Sequence, residues 1–288
     1  ADSLALSCSD YVVTEAGFGA DMGAEKALHI KSLASGKTPD CVVINVTVRS
    51  MKLHGGGFST GGGKRPPKEE LESENVDATR KGAGSNLRRH VRNISMTGLP
   101  VIVSINKFST DTDAEIKAIS DEAKLAGAKD VVIFEGHAGG GLGAGELADA
   151  VVNACKRHDE SGRPYSPIID PGMSVKETIL KIATNVYGAH NVDFSPQALD
   201  SFETLKNWNL DKLPVCMAKT QYSFSHEASE LGAPTGFTLP IREIRINAGA
   251  GFLVAICGSM MTMPGLPKRP AAMDMDMDED GNLMGVFG

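Results

Sequence analysis

The sequence predicts an α/β protein: a parallel β-sheet with helices on both faces, joined to a smaller mixed α+β lobe. Two patterns lead to this fold class. Short apolar runs rich in β-branched residues alternate with stretches of helical period through residues 1–160, as in repeated βαβ units. The alternation ends near residue 163, and strands this apolar are typically covered on both faces. We therefore expect one unit over residues 1–163 and a second over residues 164–288.

The predicted elements follow from these patterns in chain order. In the first unit we expect strands at residues 11–13, 41–48, 101–105 and 131–134, and helices at 24–33, 69–94, 113–125 and 145–157. In the second unit we expect helices at 174–186 and 196–208, then strands at 215–218, 237–246 and 252–257. The acidic end of the chain lacks the residue spacing of a calcium loop, so it is predicted to be a solvated tail.

The composition excludes several classes of protein. A net charge of −7 argues against nucleic-acid binding, and no apolar run reaches the roughly 20 residues of a membrane span. The five cysteines have no CxxC spacing, so they fit neither a disulfide framework nor a zinc site and favour a reducing compartment. We expect a cytoplasmic protein, with an organelle as the alternative. The chain begins at Ala1 without a methionine, which suggests a piece of a longer protein.

A glycine-rich segment at residues 14–23 follows the first predicted strand and precedes a helix. A helix start of this kind attracts phosphate, and acids beside phosphate hold Mg²⁺ directly or through water. Glu15 and Asp21 are the acids in question. An ordinary connection with solvated acids explains the same residues.

A second glycine-rich segment, residues 49–57, adds two cations and His54 after the second predicted strand. It suits an anion, but a basic surface loop explains it as well. The run that continues to residues 61–65 imitates a phosphate-binding P-loop without matching it. Phe58 stands where the motif needs its first Gly, and Arg65 stands where it needs Ser or Thr.

Two further loops follow the third and fourth predicted strands. Phe108 offers an aromatic face for stacking, and the Asp-Thr pair after it can cap the next helix; the two roles are compatible. His137 precedes glycines that would let a ligand approach the backbone, and a long mobile loop fits the same pattern. In the second unit, polar residues at 219–223 and 234–240 indicate either a pocket wall or structural turns.

In series, these segments resemble one family. Eight sequence blocks occur in the order found in formate–tetrahydrofolate ligases, from the first residues to the last. The blocks are VTEAGFGADMGAEK, TVRSMKLHGG, NLRRH, GLPVIVSINKFSTDT, LPVCMAKTQYSFS, GAPTGFTLPIR, GAGFLVAICG and MTMPGLPKRPAA, and the closing DEDGNLMGVF looks like the family's C-terminus. The extra glycines within residues 55–74 look more like the eukaryotic form than the bacterial one.

The resemblance implies an ATP-dependent ligase of one-carbon metabolism. In this family formate attacks the γ-phosphate of ATP to give formyl phosphate, and N10 of tetrahydrofolate then attacks the formyl carbon. The products are 10-formyltetrahydrofolate, ADP and phosphate. The family uses Mg²⁺ and a monovalent cation such as K⁺, and its members form homo-oligomers or parts of multidomain chains. Its fold is a P-loop-NTPase-like α/β domain with smaller lobes, whose N-terminal part would be missing here.

The resemblance also assigns residues one at a time. Phe108 matches the phenylalanine that stacks on the pteridine ring of folate, and His137 stands where the family has a tryptophan on the opposite face. Imidazole offers a smaller π-face than indole, so this difference predicts weaker folate binding. On the nucleotide and phosphate side the matching residues are Glu15, Asp21, His54, Thr235, Phe237 and Pro240, and no metal ligand is assigned.

The family's phosphate-binding loop, its lysine and the arginine that holds formyl phosphate would lie upstream of Ala1. The catalytic residues are therefore unknown from this chain, and the chain by itself is expected to be inactive. Two other roles stay open: a non-catalytic folate- or nucleotide-binding remnant, and a structural lobe of a multifunctional one-carbon protein.

Overall fold

The computed structural model describes residues 1–60, 66–258, 269–279, 281 and 283–284. The protein is a mixture of helices and largely parallel sheets, which confirms the predicted α/β class. The glycine run at 61–65 and residues 261–268 of the MTMPGLPKRPAA block lie outside the described residues. In the described part, no helix is both long and apolar enough to cross a membrane.

The strands of the described residues fall into two sheets of three strands and two of two strands. They are β1 (Val42–Val46), β2 (Val101–Asn106), β3 (Asp130–Phe134), β4 (Asn191–Phe194), β5 (Val215–Ala218), β6 (Thr238–Ile241), β7 (Glu243–Asn247), β8 (Phe252–Ile256), β9 (Asp276–Met277) and β10 (Leu283–Met284). Short π-helical stretches occur at Gly19–Ala24, Ala27–Lys31, Ala83–Leu87 and Ala183–Tyr187. The α-helices are α1 (Asp2–Cys8), α2 (Ser32–Ser35), α3 (Val48–His54), α4 (Lys68–Glu72), α5 (Val76–Gly82), α6 (Arg88–Ser95), α7 (Asp113–Leu125), α8 (Gly136–Gly139), α9 (Gly145–Glu160), α10 (Val175–Ile182) and α11 (Pro196–Asn207).

The first sheet contains β1, β2 and β3 in that order, all parallel. Its central strand β2 is almost wholly buried, as its β-branched side chains favour. Val103 and Ile105 of this strand pack into one core with α6 and α7, whereas Ile102 packs into another with Val132 and with Ala154 of α9. Helices therefore cover both faces of the sheet, as predicted from its apolar strands.

The predicted strand at residues 11–13 is wrong. Tyr11 and Val13 belong to an irregular segment, and their side chains are 47% and 91% exposed. A strand needs a neighbour for its backbone hydrogen bonds. The segment pairs with no strand in the described part of the chain, so its short apolar run stays irregular. The first strand of the sheet is β1.

The predicted helix at residues 69–94 is interrupted. The chain leaves helical geometry at Ser73, and Asn75 then caps α5 by accepting the Ala78 N–H at 3.0 Å. Lys52 causes the interruption, because its ammonium donates a hydrogen bond to the Ser73 carbonyl at 2.7 Å. In the same place Glu115 accepts the Asn75 N–H at 2.8 Å. Helical periodicity alone does not reveal partners so distant in sequence.

The second part of the chain has its own core. β5, β8 and β7 form a three-stranded mixed sheet, and β4 pairs with β6 in parallel. Ile182 of α10 and Leu205 of α11 pack against strand residues such as Met217 and Leu253. The separation into units at residues 163 and 164 remains a prediction.

The predicted strand at residues 237–246 is wrong as a single element. It divides into β6, which pairs with β4, and β7, which pairs antiparallel with β8. The change occurs at Arg242, whose N–H donates to the Ile256 carbonyl at 2.9 Å. The local residue pattern contains no sign that the chain moves from one sheet to another at this point.

The ion pair between Lys52 and Glu115 yields a test of stability. The two side chains are 1% and 0% exposed, and their charged atoms lie 2.9 Å apart. Lys52→Met should lower the free energy of unfolding by about 3–5 kcal/mol, because it leaves the Glu115 carboxylate buried without its cation. Urea unfolding followed by circular dichroism measures this loss. Lys117→Met is the matched control, because Lys117 pairs with Asp121 on the surface of α7 and its loss should change little. Equal effects of the two substitutions would contradict the expected role.

Candidate functional site

The first cluster of candidate residues lies at the carboxyl ends of β1 and β2, where ligands of parallel sheets bind. After β2 the chain turns at Phe108. The turn is closed by the Asp111 N–H, which donates to the Phe108 carbonyl at 3.0 Å, and by the Phe108 N–H, which donates to Asp111 Oδ2 at 2.8 Å. Thr112 then caps α7 in a reciprocal arrangement with Glu115, which confirms the predicted cap. The Phe108 ring projects from this turn and is 38% exposed.

Arg49 covers the Phe108 ring. Its guanidinium carbon lies 4.4 Å from the ring centroid, within the range of a cation–π contact. Arg49 belongs to α3, which follows β1, so neighbouring strand ends bring the two residues together. The glycine-rich segment that was predicted to be an anion site or a loop is largely this helix. Its other cation, Lys52, is held by Glu115 and is not free to meet an anion.

Glycine at position 55 serves packing between helices. A Cβ atom there would lie 1.8 Å from the Ala78 carbonyl oxygen of α5, so only glycine lets α3 and α5 approach this closely. Gly23 has a similar reason: a Cβ there would lie 1.6 Å from the Gly17 carbonyl oxygen. Some of the glycines that suggested a phosphate loop are therefore required by the fold.

His137 lies on the neighbouring loop. It is an exposed residue of α8, which begins directly after β3. Asn106 of β2 stands opposite Phe134 of β3, so the Phe108 and His137 loops leave the same edge of the sheet. Lys107 joins these loops through its N–H to the Phe134 carbonyl at 3.1 Å. That Phe108 and His137 cover opposite faces of one pteridine ring remains a prediction.

The second cluster lies where the two parts of the chain meet. Asp21, in the helical segment after the glycines, is buried and accepts a hydrogen bond from Lys219 at 2.5 Å. Lys219 follows β5, is fully buried, and also donates to the carbonyls of Thr220 and Ser223. Its ammonium lies 4.9 Å from the centroid of the Tyr187 ring. Residues almost 200 positions apart are thus joined by one buried ion pair.

Electrostatics keep Asp21 ionised. Burial by itself raises the pKa of Asp21, but the charges of Lys219 and His90 and the hydrogen bond from Lys219 outweigh it, so the pKa is lowered. Burial lowers the pKa of His90, and Lys219 and Arg89 lower it further against the opposing effect of Asp21. The His90 ring packs with its centroid 4.6 Å from that of the Phe224 ring.

His54 belongs to the same surroundings. Its Nδ1 accepts the Gly232 N–H at 3.2 Å, which ties α3 to the second part of the chain. Burial and the nearby His90 lower the pKa of His54 to about 4, although Asp21 acts in the opposite direction. A neutral imidazole that accepts at Nδ1 carries its proton on Nε2. His54 is therefore a hydrogen-bond donor near neutral pH and not a cation.

The other residues assigned to the nucleotide side are scattered. Glu15 is exposed, whereas Phe237 packs against the second core and its carbonyl accepts the His190 N–H at 2.8 Å. Pro240 is inside β6 opposite Asp193, and Thr235 is exposed next to Gly236. The structure thus gives Phe237 and Pro240 structural roles, and a nucleotide role for any of these residues remains a prediction.

Sequence reasoning singled out neither Arg49 nor Lys219 nor His90 by itself. Each stood inside a segment that had been noted for other reasons. Arg49 could have been found from its position just after a strand, next to the strand that precedes Phe108. The pairing of Lys219 with Asp21 carries no local signal, because only the tertiary fold shows that these two residues, far apart in sequence, are partners.

The Lys219–Asp21 pair generates a prediction about pH. Lys219→Met should lower the free energy of unfolding by about 3–5 kcal/mol at pH 7, since it strands a buried carboxylate. Without the lysine, burial raises the folded pKa of Asp21 above its unfolded value of about 3.9. The folded variant then takes up a proton as the pH falls, so its deficit should shrink between pH 7 and pH 5. The unaltered chain keeps Asp21 ionised across this range.

Chemical denaturation at pH 5, 6 and 7 measures this deficit. Lys206→Met, which removes an exposed lysine from α11, is the control and should show little change at any pH. A Lys219→Met deficit that is independent of pH would show that lost packing, and not the stranded charge, causes it.

Comparison with known proteins shows which family the sequence matches. The formate–tetrahydrofolate ligase family matches residues 1–287 of the chain. A curated relative, the formate–tetrahydrofolate ligase of Paracoccus denitrificans (strain Pd 1222), is 47% identical over 283 residues. The match covers 98% of this chain and 48% of the relative, so the chain spans about half the length of the curated relative it matches. The chain belongs to the formate–tetrahydrofolate ligase family.

Proposed function

We propose that this chain supplies the folate side of an ATP-dependent ligase that joins formate to tetrahydrofolate. The observation that carries the proposal is the family match over nearly the whole chain. The structure supports it with a half-exposed aromatic ring, Phe108, at the sheet edge where ligands of α/β proteins bind. A flat heterocycle such as pteridine stacks on a ring of this kind with a gain of about 0.5–1.5 kcal/mol beyond burial.

The proposed reaction has two steps. A formate oxygen attacks the γ-phosphorus of ATP, the bond to the bridging oxygen breaks, and ADP leaves with formyl phosphate as the intermediate. N10 of tetrahydrofolate then attacks the formyl carbon, the carbon–oxygen bond to phosphate breaks, and N10 loses its proton. The role of this chain is to hold the pteridine and fix N10 relative to the formyl group, since such reactions depend on positioning more than on a protein nucleophile.

Mg²⁺ and K⁺ belong to this proposal through the family, and the acids described here fit a magnesium site poorly. Asp21 gives one carboxylate oxygen to Lys219, and coordination of a metal through that oxygen would leave a buried lysine without its partner. Among the described residues no group of three His, Cys, Asp or Glu side chains stands ready for a metal. We therefore derive no step that involves a metal held by these residues.

The chain by itself should not form 10-formyltetrahydrofolate at a rate like that of a full-length ligase. Its sequence contains no GxxxxGK[ST] motif, and loss of the lysine and backbone contacts to phosphate costs a factor of roughly 10³ or more. The measurement supplies ATP, Mg²⁺, K⁺, formate and tetrahydrofolate. Turnover comparable with that of a ligase, abolished by Lys64→Ala, would show that the run at residues 61–65 binds phosphate after all.

A chimera tests the proposed function itself. The chain would replace the matching segment of the Paracoccus denitrificans ligase, and the product should ligate formate to tetrahydrofolate. Phe108→Ala in the chimera should raise the KM for tetrahydrofolate while leaving the KM for ATP nearly unchanged. A folded chimera without ligase activity would favour the alternatives, a non-catalytic binding remnant or a structural lobe.

A substitution at position 137 should raise the affinity for tetrahydrofolate. His137→Trp should tighten tetrahydrofolate binding about two- to tenfold, because indole presents a larger π-face to the pteridine than imidazole does. Calorimetric titration of the chimera measures the change. Glu135→Gln is a control on the same loop, because its carboxylate pairs with Lys107 at 3.3 Å and offers no ring to the pteridine. No difference between His137→Trp and the unaltered chimera would place residue 137 away from the ring.

A further inference from the structure

The turn that carries Phe108 contains polar atoms that the described part of the chain leaves without a hydrogen-bond partner. They are Arg49 Nε, Thr110 Oγ1 and Asp111 Oδ1, all removed from solvent. A buried polar atom without a partner costs about 1–3 kcal/mol. Three such atoms around one half-exposed aromatic ring indicate a place where a ligand supplies the missing partners.

Asp111 is the most constrained of the three. Its side chain is 9% exposed, and Oδ2 is already used by the Phe108 N–H at 2.8 Å. Because the Asp111 N–H also bonds back to the Phe108 carbonyl, the carboxyl group is fixed at the base of the aromatic ring. Oδ1 is the oxygen of this carboxylate that has no hydrogen-bond partner among the described residues.

The charge around Asp111 suits an acceptor of N–H groups. Burial and the neighbouring Glu115 raise the pKa of Asp111, against the Phe108 hydrogen bond and the charges of Arg49 and Lys52. The net shift is upward, so the carboxylate is incompletely compensated by the protein. An N–H donor from a ligand would complete its surroundings.

Arg49 defines how a ring can approach. Its guanidinium lies over the Phe108 ring at 4.4 Å, so one face of the ring is already covered. A ligand must use the remaining exposed face, and a cation behind the ring strengthens the contact by holding it in one orientation. Arg49 thus acts on the ligand through Phe108 and is a positioning residue.

We propose that Asp111 Oδ1 accepts a hydrogen bond from the 2-amino and N3–H edge of a pteridine that stacks on the exposed face of Phe108, with Arg49 positioning that ring from behind. This inference rests on the proposed folate function and adds a residue that selects the ligand. A 2-amino-4-oxopyrimidine ring places adjacent N–H donors on one edge, which is the pattern that a carboxylate oxygen recognises. A stacking surface by itself would accept any flat ring of similar size.

The test compares two ligands and two variants of the chain. Tetrahydrofolate and its 2-deamino analogue are titrated by ligand-observed NMR, which reaches millimolar dissociation constants. Asp111→Asn keeps an oxygen for the Phe108 N–H but turns an N–H₂ group toward the ligand, so it should weaken tetrahydrofolate binding about tenfold or more. It should change binding of the 2-deamino analogue by less than about threefold, because that ligand lacks one of the donors. Asp113→Asn removes an exposed carboxylate from the first turn of α7 and should leave both ligands unaffected.

The possible outcomes distinguish failure of the Asp111 inference from failure of the proposed folate function. If Asp111→Asn weakens both ligands equally, or behaves like Asp113→Asn, Asp111 is only an anchor of the turn and the inference is overturned. The folate proposal survives that result provided Phe108→Ala still abolishes binding. If the unaltered chain binds neither ligand, the folate site and the inference fail together. Arg49→Lys retains a cation over the ring and should preserve most of the affinity that Arg49→Met loses for both ligands.

Discussion

The buried contact between Lys52 and Glu115 holds the candidate folate site in place. Glu115 accepts hydrogen bonds from Lys52, from the Asn75 N–H and from the cap residue Thr112, so one carboxylate joins α3, the break before α5 and the start of α7. Arg49 is carried by the first of these helices, and the Phe108 turn leads into the last. A buried ion pair contributes little net stability over an apolar pair of similar volume, so we infer that its contribution here is a fixed geometry. The aromatic ring and the cation that covers it are positioned by the same charge.

A buried ion pair also joins the two parts of the chain. Lys219 and Asp21 form this ion pair away from solvent. Neighbouring hydrogen bonds to backbone atoms also join the two parts. Asn86 donates to the Gly232 carbonyl at 3.0 Å, and His54 accepts the Gly232 N–H at 3.2 Å. Glycine at 232 has a φ of +79°, a conformation that other residues adopt at a cost, so the loop can present both its donor and its acceptor to the first part of the chain. Asp21 and His54, which the sequence analysis considered as ligand-binding residues, here make contacts that join the two parts of the chain.

The fold was more predictable from the sequence than the site was. Strands β2 and β5 and helix α7 fell at their predicted places because period and β-branched composition are local signals. The failures at residues 11–13, 73–75 and 242 have non-local causes: a strand without a partner, a lysine that takes a distant carbonyl, and a change of sheet. The assignment of Phe108 and His137 rested on the family resemblance. The pairing of Arg49 with Phe108 and of Asp21 with Lys219 could come only from three-dimensional contacts, since neither pair is close in sequence.

The contrast between the two clusters bears on where ligands bind. At the junction, the Asp21 carboxylate and the Lys219 ammonium are paired with each other, and a ligand that took either would strand the other in a buried place at a cost of several kcal/mol. Around Phe108 the reverse holds, because Asp111 and Arg49 each keep an atom without a partner in the described residues while an aromatic face stays exposed. A ligand there completes hydrogen bonds and displaces none of those that close the turn. We therefore expect a ligand at Phe108, whereas Asp21 and Lys219 hold the junction between the two parts of the chain together.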